Sequence, residues 1–108
     1  MPGFSARGPP PQQPVSVLHA LVELQTFAGA WPWNEQLFSL IGLVPDSVED
    51  LRGQDVMATA LVVAFFEMKL SADEDLWDLI VQKARAWMET QFESAQIESI
   101  LARARGYY

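Results

Sequence analysis

The run VMATALVVAFF, Val56 to Phe66, is the most apolar stretch of the chain, and reading it as strand or helix decides the fold. Val62-Val63 and Phe65-Phe66 suit a strand. The length of the run and its alanines at 58, 60 and 64 favour a helix. Read as a helix from Asp55 to about Leu70, it is apolar on every side, which makes it the hub of a bundle. It falls well short of the ~20 residues that a membrane helix needs.

Helical spacing continues on both sides of this hub. Upstream, Val17, Leu18, Leu21, Leu24 and Ala28 recur at intervals of three and four, predicting a first helix that Gly29 ends. Trp31-Pro32-Trp33 is an extended corner, because the residue before proline is pushed out of the α region. Asn34 is a good N-cap for a second helix, with Glu35 in its first turn, Leu37, Phe38, Leu40 and Ile41 buried, and Gly42 as its stop. Pro45-Asp46-Ser47 starts a short third helix through Val48 and Leu51, with Ser47 and Asp50 spaced nearly as a capping box and Gly53 closing it.

Downstream, Ser71-x-x-Glu74 reads as a capping box for a helix whose inward residues are Leu76, Ile80, Ala84, Trp87 and Met88. A last helix over Ser94 to Arg105 buries Ile97, Ile100, Leu101 and Ala104, and Gly106 ends it. No segment alternates with period two between hairpin signals. The expectation is an all-α, compact bundle of five to six helices over residues 15–106. Residues 1–14 hold five of the seven prolines and two of the six glycines, so they are expected to form a disordered tail or linker. Pro11-x-x-Pro14 matches the minimal PxxP pattern but lacks a basic residue at the usual flanking spacing, which favours a linker over a ligand.

At 108 residues the chain is one domain at most, and its lack of cysteine excludes a disulfide scaffold or a thiolate metal site. The formal net charge is −7; from Val15 onward six basic side chains face fourteen acidic ones. Such a surface repels phosphate backbones and anionic lipids, which argues against nucleic-acid and membrane partners. The opening MPGFSARGPPPQQP has no apolar core of a signal peptide. These features together predict a soluble, cytoplasmic protein.

Little in the sequence points to chemistry. His19 is the sole histidine, and Glu23, four residues on, is an ordinary helix-surface partner for it. Asp73-Glu74-Asp75 and Asp78 suggest a calcium loop, but no glycine falls at its sixth position, and a helix N-terminus explains the acids more simply. Phosphate-binding glycine motifs and G-x-S-x-G are lacking, so the reading is non-catalytic, with no metal and no cofactor. The large rings remain. Trp31, Trp33, Phe38, Trp77, Tyr107 and Tyr108 are candidate protein-binding residues, since interface anchors are often aromatic; Tyr107 and Tyr108, past Gly106, are expected to be loose unless something docks on them. In the corner, Gln25 is expected to bond the backbone, Gly29 to permit the turn and Trp31 to plug the gap between the first two helices. Asn34 starts the next helix, and Trp33 is left for an outside contact.

These residues also carry a family resemblance. L-x-x-L-Q-x-x-x-G-x-W (Leu21 to Trp31), Asn34-Glu35-x-Leu37, Leu40-Ile41-Gly42, the run Asp55 to Phe65 and Lys83-Ala84-x-Ala86-Trp87 resemble, in this order, the C-terminal helical region of two related groups. One is the von Willebrand factor A domain-containing protein 5 group. The other is the vault poly(ADP-ribose) polymerase, whose equivalent region binds the major vault protein. The similarity covers about Leu18 to Met88 and fades through the last helix. It implies an interaction module that targets its parent protein or cargo to vault particles, with the major vault protein as partner. Two alternatives stand beside it: a structural C-terminal domain packing on upstream domains of its own parent, and a fragment of a terpenoid-cyclase-like α-barrel enzyme. The latter shares Q-x-x-x-G-x-W, but needs several such repeats and a D-x-D-D motif.

Overall fold

The computed structural model describes residues 14–48 and 53–108, and among these the fold is all-helical. Five α-helices follow in order: α1 Pro14–Leu24, α2 Glu35–Ile41, α3 Asp55–Lys69, α4 Glu74–Gln91 and α5 Ser94–Arg105. Two 3-10 turns, Pro45–Ser47 and Ser71–Asp73, join them. The tail expected over residues 1–14 lies outside the described residues except for Pro14. That proline is the first residue of α1, the helical position where its missing N–H costs nothing.

The central helix is where the sequence put it. From Val56 to Ala64 every residue of α3 is buried, as is Phe66, so the helix has no outward face over two turns. A helix of this kind must be covered all round. α5 lies along it most extensively, through Ile97, Ile100, Leu101 and Ala104, and α4 covers a further side. Thr59 is the one polar side chain fully enclosed among the described residues; its hydroxyl donates to the Asp55 carbonyl (2.8 Å) and accepts the Trp31 N–H (2.9 Å). Burying it is therefore not penalised by an unmade bond.

α1 stops five residues before Gly29, and the reason lies downstream. In a longer helix the Leu21 carbonyl would accept the Gln25 N–H. Instead Gln25 N–H turns to Val22 (3.2 Å), and the Trp31 indole Nε1 donates to the Leu21 carbonyl at 2.6 Å. Trp31 thus takes up a carbonyl that the end of a helix leaves without a partner. Ala28, expected on the buried stripe, is exposed as a result.

The expected third helix is a single 3-10 turn ending at Ser47, after which Val48 is extended and fully buried; Asp50 and Leu51 lie outside the described residues. The Ser71-x-x-Glu74 capping box does not form, because Ser71–Asp73 coil into a 3-10 turn with no side-chain cap. The box that does form is at α5, where Glu93 and Gln96 cap one another's backbone N–H groups.

α4 is rotated relative to the expected stripe. Trp77, Val81, Ala84 and Met88 face the core, Ile80 and Trp87 are half-buried, and Leu76 is 53% exposed. The Trp77 ring stacks on Phe66 (5.7 Å between centroids, 9° between planes), and its Nε1 donates to the Leu70 carbonyl at 2.7 Å. Phe66 also meets Trp31 edge to face at 6.1 Å. Each of these two tryptophans therefore fills the core with its ring and closes the end of the preceding helix with its N–H.

Tyr107 and Tyr108, expected to be loose, pack against the core. The Tyr108 hydroxyl donates to the Leu61 carbonyl at 2.6 Å, and its ring lies 6.0 Å from Phe65. Burial pushes the Tyr108 phenol well above the usual tyrosine range. The neutral phenol is thus the form the fold holds. Above a pH of about 10 an unfolded chain gives up this proton while the folded one keeps it, so stability falls as pH rises. Urea melts at pH 8 and pH 11 should show this loss in the parent chain. In Tyr108→Phe the loss should be smaller, on top of a pH-independent decrease of about 1 kcal/mol for the missing hydrogen bond.

Candidate functional site

The corner motif is one packed unit. Gln25 Nε2 donates to the Gly29 carbonyl (2.9 Å) and reaches the Ile80 carbonyl of α4 at 3.4 Å. The turn between is closed by Thr26 N–H to Ala30 (2.7 Å) and Gly29 N–H to Thr26 (3.0 Å). Gly29 has φ +108°, and a Cβ there would lie 2.7 Å from the Lys83 carbonyl oxygen, so glycine is required both by the turn and by the approach to α4. After the turn, the chain runs extended along the start of α3. Trp31 N–H bonds Thr59 there, and Trp33 N–H donates to Asp55 Oδ1 (3.2 Å). Asn34 then caps α2, its Oδ1 accepting the Leu37 N–H at 2.7 Å, and Gly42 ends that helix with φ +80°.

The structure divides the expected docking residues. Trp31, Phe38 and Trp77 belong to the core, at most 5% exposed, and so little open ring leaves a partner little to hold. Trp33, Tyr107 and Tyr108 are half-buried. Trp33 packs edge to face on Phe38 (4.6 Å, 61°), with the rest of its ring at the rim. Phe38 therefore supports Trp33 from beneath.

Sequence reasoning missed the most exposed large apolar side chains among the described residues: Phe27 at 97%, Leu79 at 77%, Val44 at 62% and Leu76 at 53%. Phe27 stands at the tip of the corner turn with Lys83 Nζ 5.5 Å from its ring centre. One signal was available. Leu76, Leu79, Ile80 and Trp87, with Lys83 among them, follow the same three-and-four spacing as the inward stripe, so α4 has a second, largely apolar line that is at most half-buried.

Groups suited to catalysis are dispersed. His19 and Glu23 are exposed on α1. Among the described residues no cluster of three or more His, Cys, Asp or Glu is placed to hold a metal ion. Three shallow hollows of about 340, 330 and 400 Å³ open on the surface, near Trp87 and Phe92, near Phe38 and Val44, and near Glu67 and Asp78 respectively. His19 lines none of them. No helix is long and apolar enough to cross a membrane among the described residues. Set against protein-family models, curated proteins and solved structures, the chain matches none.

Proposed function

We propose that this chain is a non-catalytic protein-interaction module that binds the major vault protein in the cytoplasm and carries its parent protein or cargo to vault particles. The observation that carries this reading is the corner itself. Gln25, Gly29 and Trp31, the residues of the resembling motif, act as one unit that fixes the turn, closes α1 and sets Trp33 at the rim. A motif that builds a scaffold and ends in a half-exposed tryptophan suits a family of docking domains.

Co-sedimentation of the chain with assembled major vault protein tests the proposal. Binding is expected at micromolar concentration and should weaken in Trp33→Ala without a large change in melting temperature. No binding at that concentration would remove the vault reading. A second reading, a terminal domain packing on its own parent's other domains, is favoured by the exposure of Phe27, Leu76 and Leu79. It predicts that the isolated chain binds hydrophobic dyes and that a covalently linked parent domain suppresses the binding.

A further inference from the structure

The second apolar line of α4 has the form of a binding face. Leu76, Leu79, Ile80, Lys83 and Trp87 follow one another along the helix, with Leu76 and Leu79 more than half exposed. Phe27 stands beside the middle of the line, its ring next to Lys83 Nζ. It is held there by the hydrogen bonds that close its turn, two from the backbone and one from Gln25. Monomer surfaces usually expose large apolar side chains singly. Here three of the five large hydrophobics exposed among the described residues gather on one strip, and the most exposed of them sits on a fixed turn. From Leu76 to Trp87 the strip rises about 16 Å, three helical turns.

Charge identifies the occupant. Asp73 and Asp75 lie at the N-terminal end of the strip, while Glu74 and Asp78 face the Glu67 hollow on another side of α4. The whole chain carries −7, while two of its basic residues, Arg85 and Arg105, are already paired with Glu98 and Glu67. A second copy would bring the same negative charge to this face. A basic helix would gain from it in both encounter rate and orientation.

We propose that the strip formed by Leu76, Leu79, Ile80, Lys83, Trp87 and Phe27 docks an amphipathic helix of about three turns from a partner protein. Its apolar residues recur at three and four, and its Lys/Arg flank lies toward the acidic start of α4. This inference rests on reading the chain as an interaction module, but does not need the partner to be the major vault protein.

The test is a titration of the isotope-labelled full chain with a synthetic helix of leucine and lysine, about fourteen residues long, followed by NMR shifts. A scrambled peptide of the same composition and a leucine–glutamate version run beside it. Shifts confined to residues 26–30 and 76–87 are expected for the patterned basic peptide, with affinity falling as salt rises. Leu79→Ser and Phe27→Ala, both at exposed positions, should each weaken binding about tenfold or more while leaving the melting temperature unchanged. Equal binding of the scrambled peptide, shifts centred on the Glu67 and Asp78 hollow, or indifference to Leu79→Ser would overturn the proposal. Self-association abolished by Leu79→Ser would overturn it too, in favour of a second copy. Titration with major vault protein separates this inference from the vault reading. Vault binding untouched by Leu79→Ser, together with no binding of the patterned peptide, removes this face and keeps the vault reading, whereas peptide binding without vault binding does the reverse.

Discussion

Trp31→Ala is expected to destabilise the chain by about 3–5 kcal/mol, the range for deleting a large buried ring. Trp31 is fully buried, meets Phe66 edge to face and supplies the N–H that ends α1. Deletion leaves a cavity between α1 and α3 and removes the donor at the Leu21 carbonyl. Domains of this size have a total stability of about 5–15 kcal/mol, so the variant should sit near its unfolding threshold at room temperature. Urea denaturation followed by circular dichroism measures the loss. Trp31→Phe divides it, because phenylalanine keeps most of the packing and lacks the N–H. It should lose about 1–3 kcal/mol, the cost of a buried polar group left without its partner. A loss below 1 kcal/mol in the alanine variant would mean that the ring is not the plug described.

Gly29→Ala should be nearly as damaging, although it adds a single carbon. Two effects combine. A φ of +108° is strained for any side chain, at about 1–3 kcal/mol. The added Cβ would also stand 2.7 Å from the Lys83 carbonyl oxygen and 3.0 Å from Lys83 Cγ. The carbonyl belongs to the backbone of α4 and has little room to move, so the corner must lift away from that helix. A total of about 2–5 kcal/mol is expected. Gly42→Ala is the control. Its φ of +80° is also left-handed, but its Cβ would meet nothing within 4 Å, so only the conformational part applies. The difference between the two melting curves isolates the contact of the corner with α4.

What could be read in the sequence was what local chemistry decides. The limits of α3 and α5, the Asn34 cap and the Gly42 stop follow from residues a few positions apart. What could not be read depends on partners far along the chain. On α4 two apolar stripes have equal spacing, and the choice falls to the Trp77–Phe66 stack and the Trp77 bond to Leu70. The end of α1 shows the same thing: glycine at 29 is a credible stop, but Trp31 takes the Leu21 carbonyl and halts the helix earlier. Tyr108 looked loose because no local pattern anchors its phenol; the Leu61 carbonyl, 47 residues away, does. The docking residues were hardest. Large rings suit cores and interfaces alike, and only packing separates Trp31, Phe38 and Trp77 from the half-open Trp33.

The four tryptophans divide evenly, Trp31 and Trp77 sealed inside and Trp33 and Trp87 partly open to water. The molecule therefore carries its own pair of optical gauges. A neutral quencher such as acrylamide should dim the outer two first, and shielding of that portion would register a partner arriving at the rim. The inner two should respond when the bundle comes apart, so one cuvette and no attached dye can tell docking from melting.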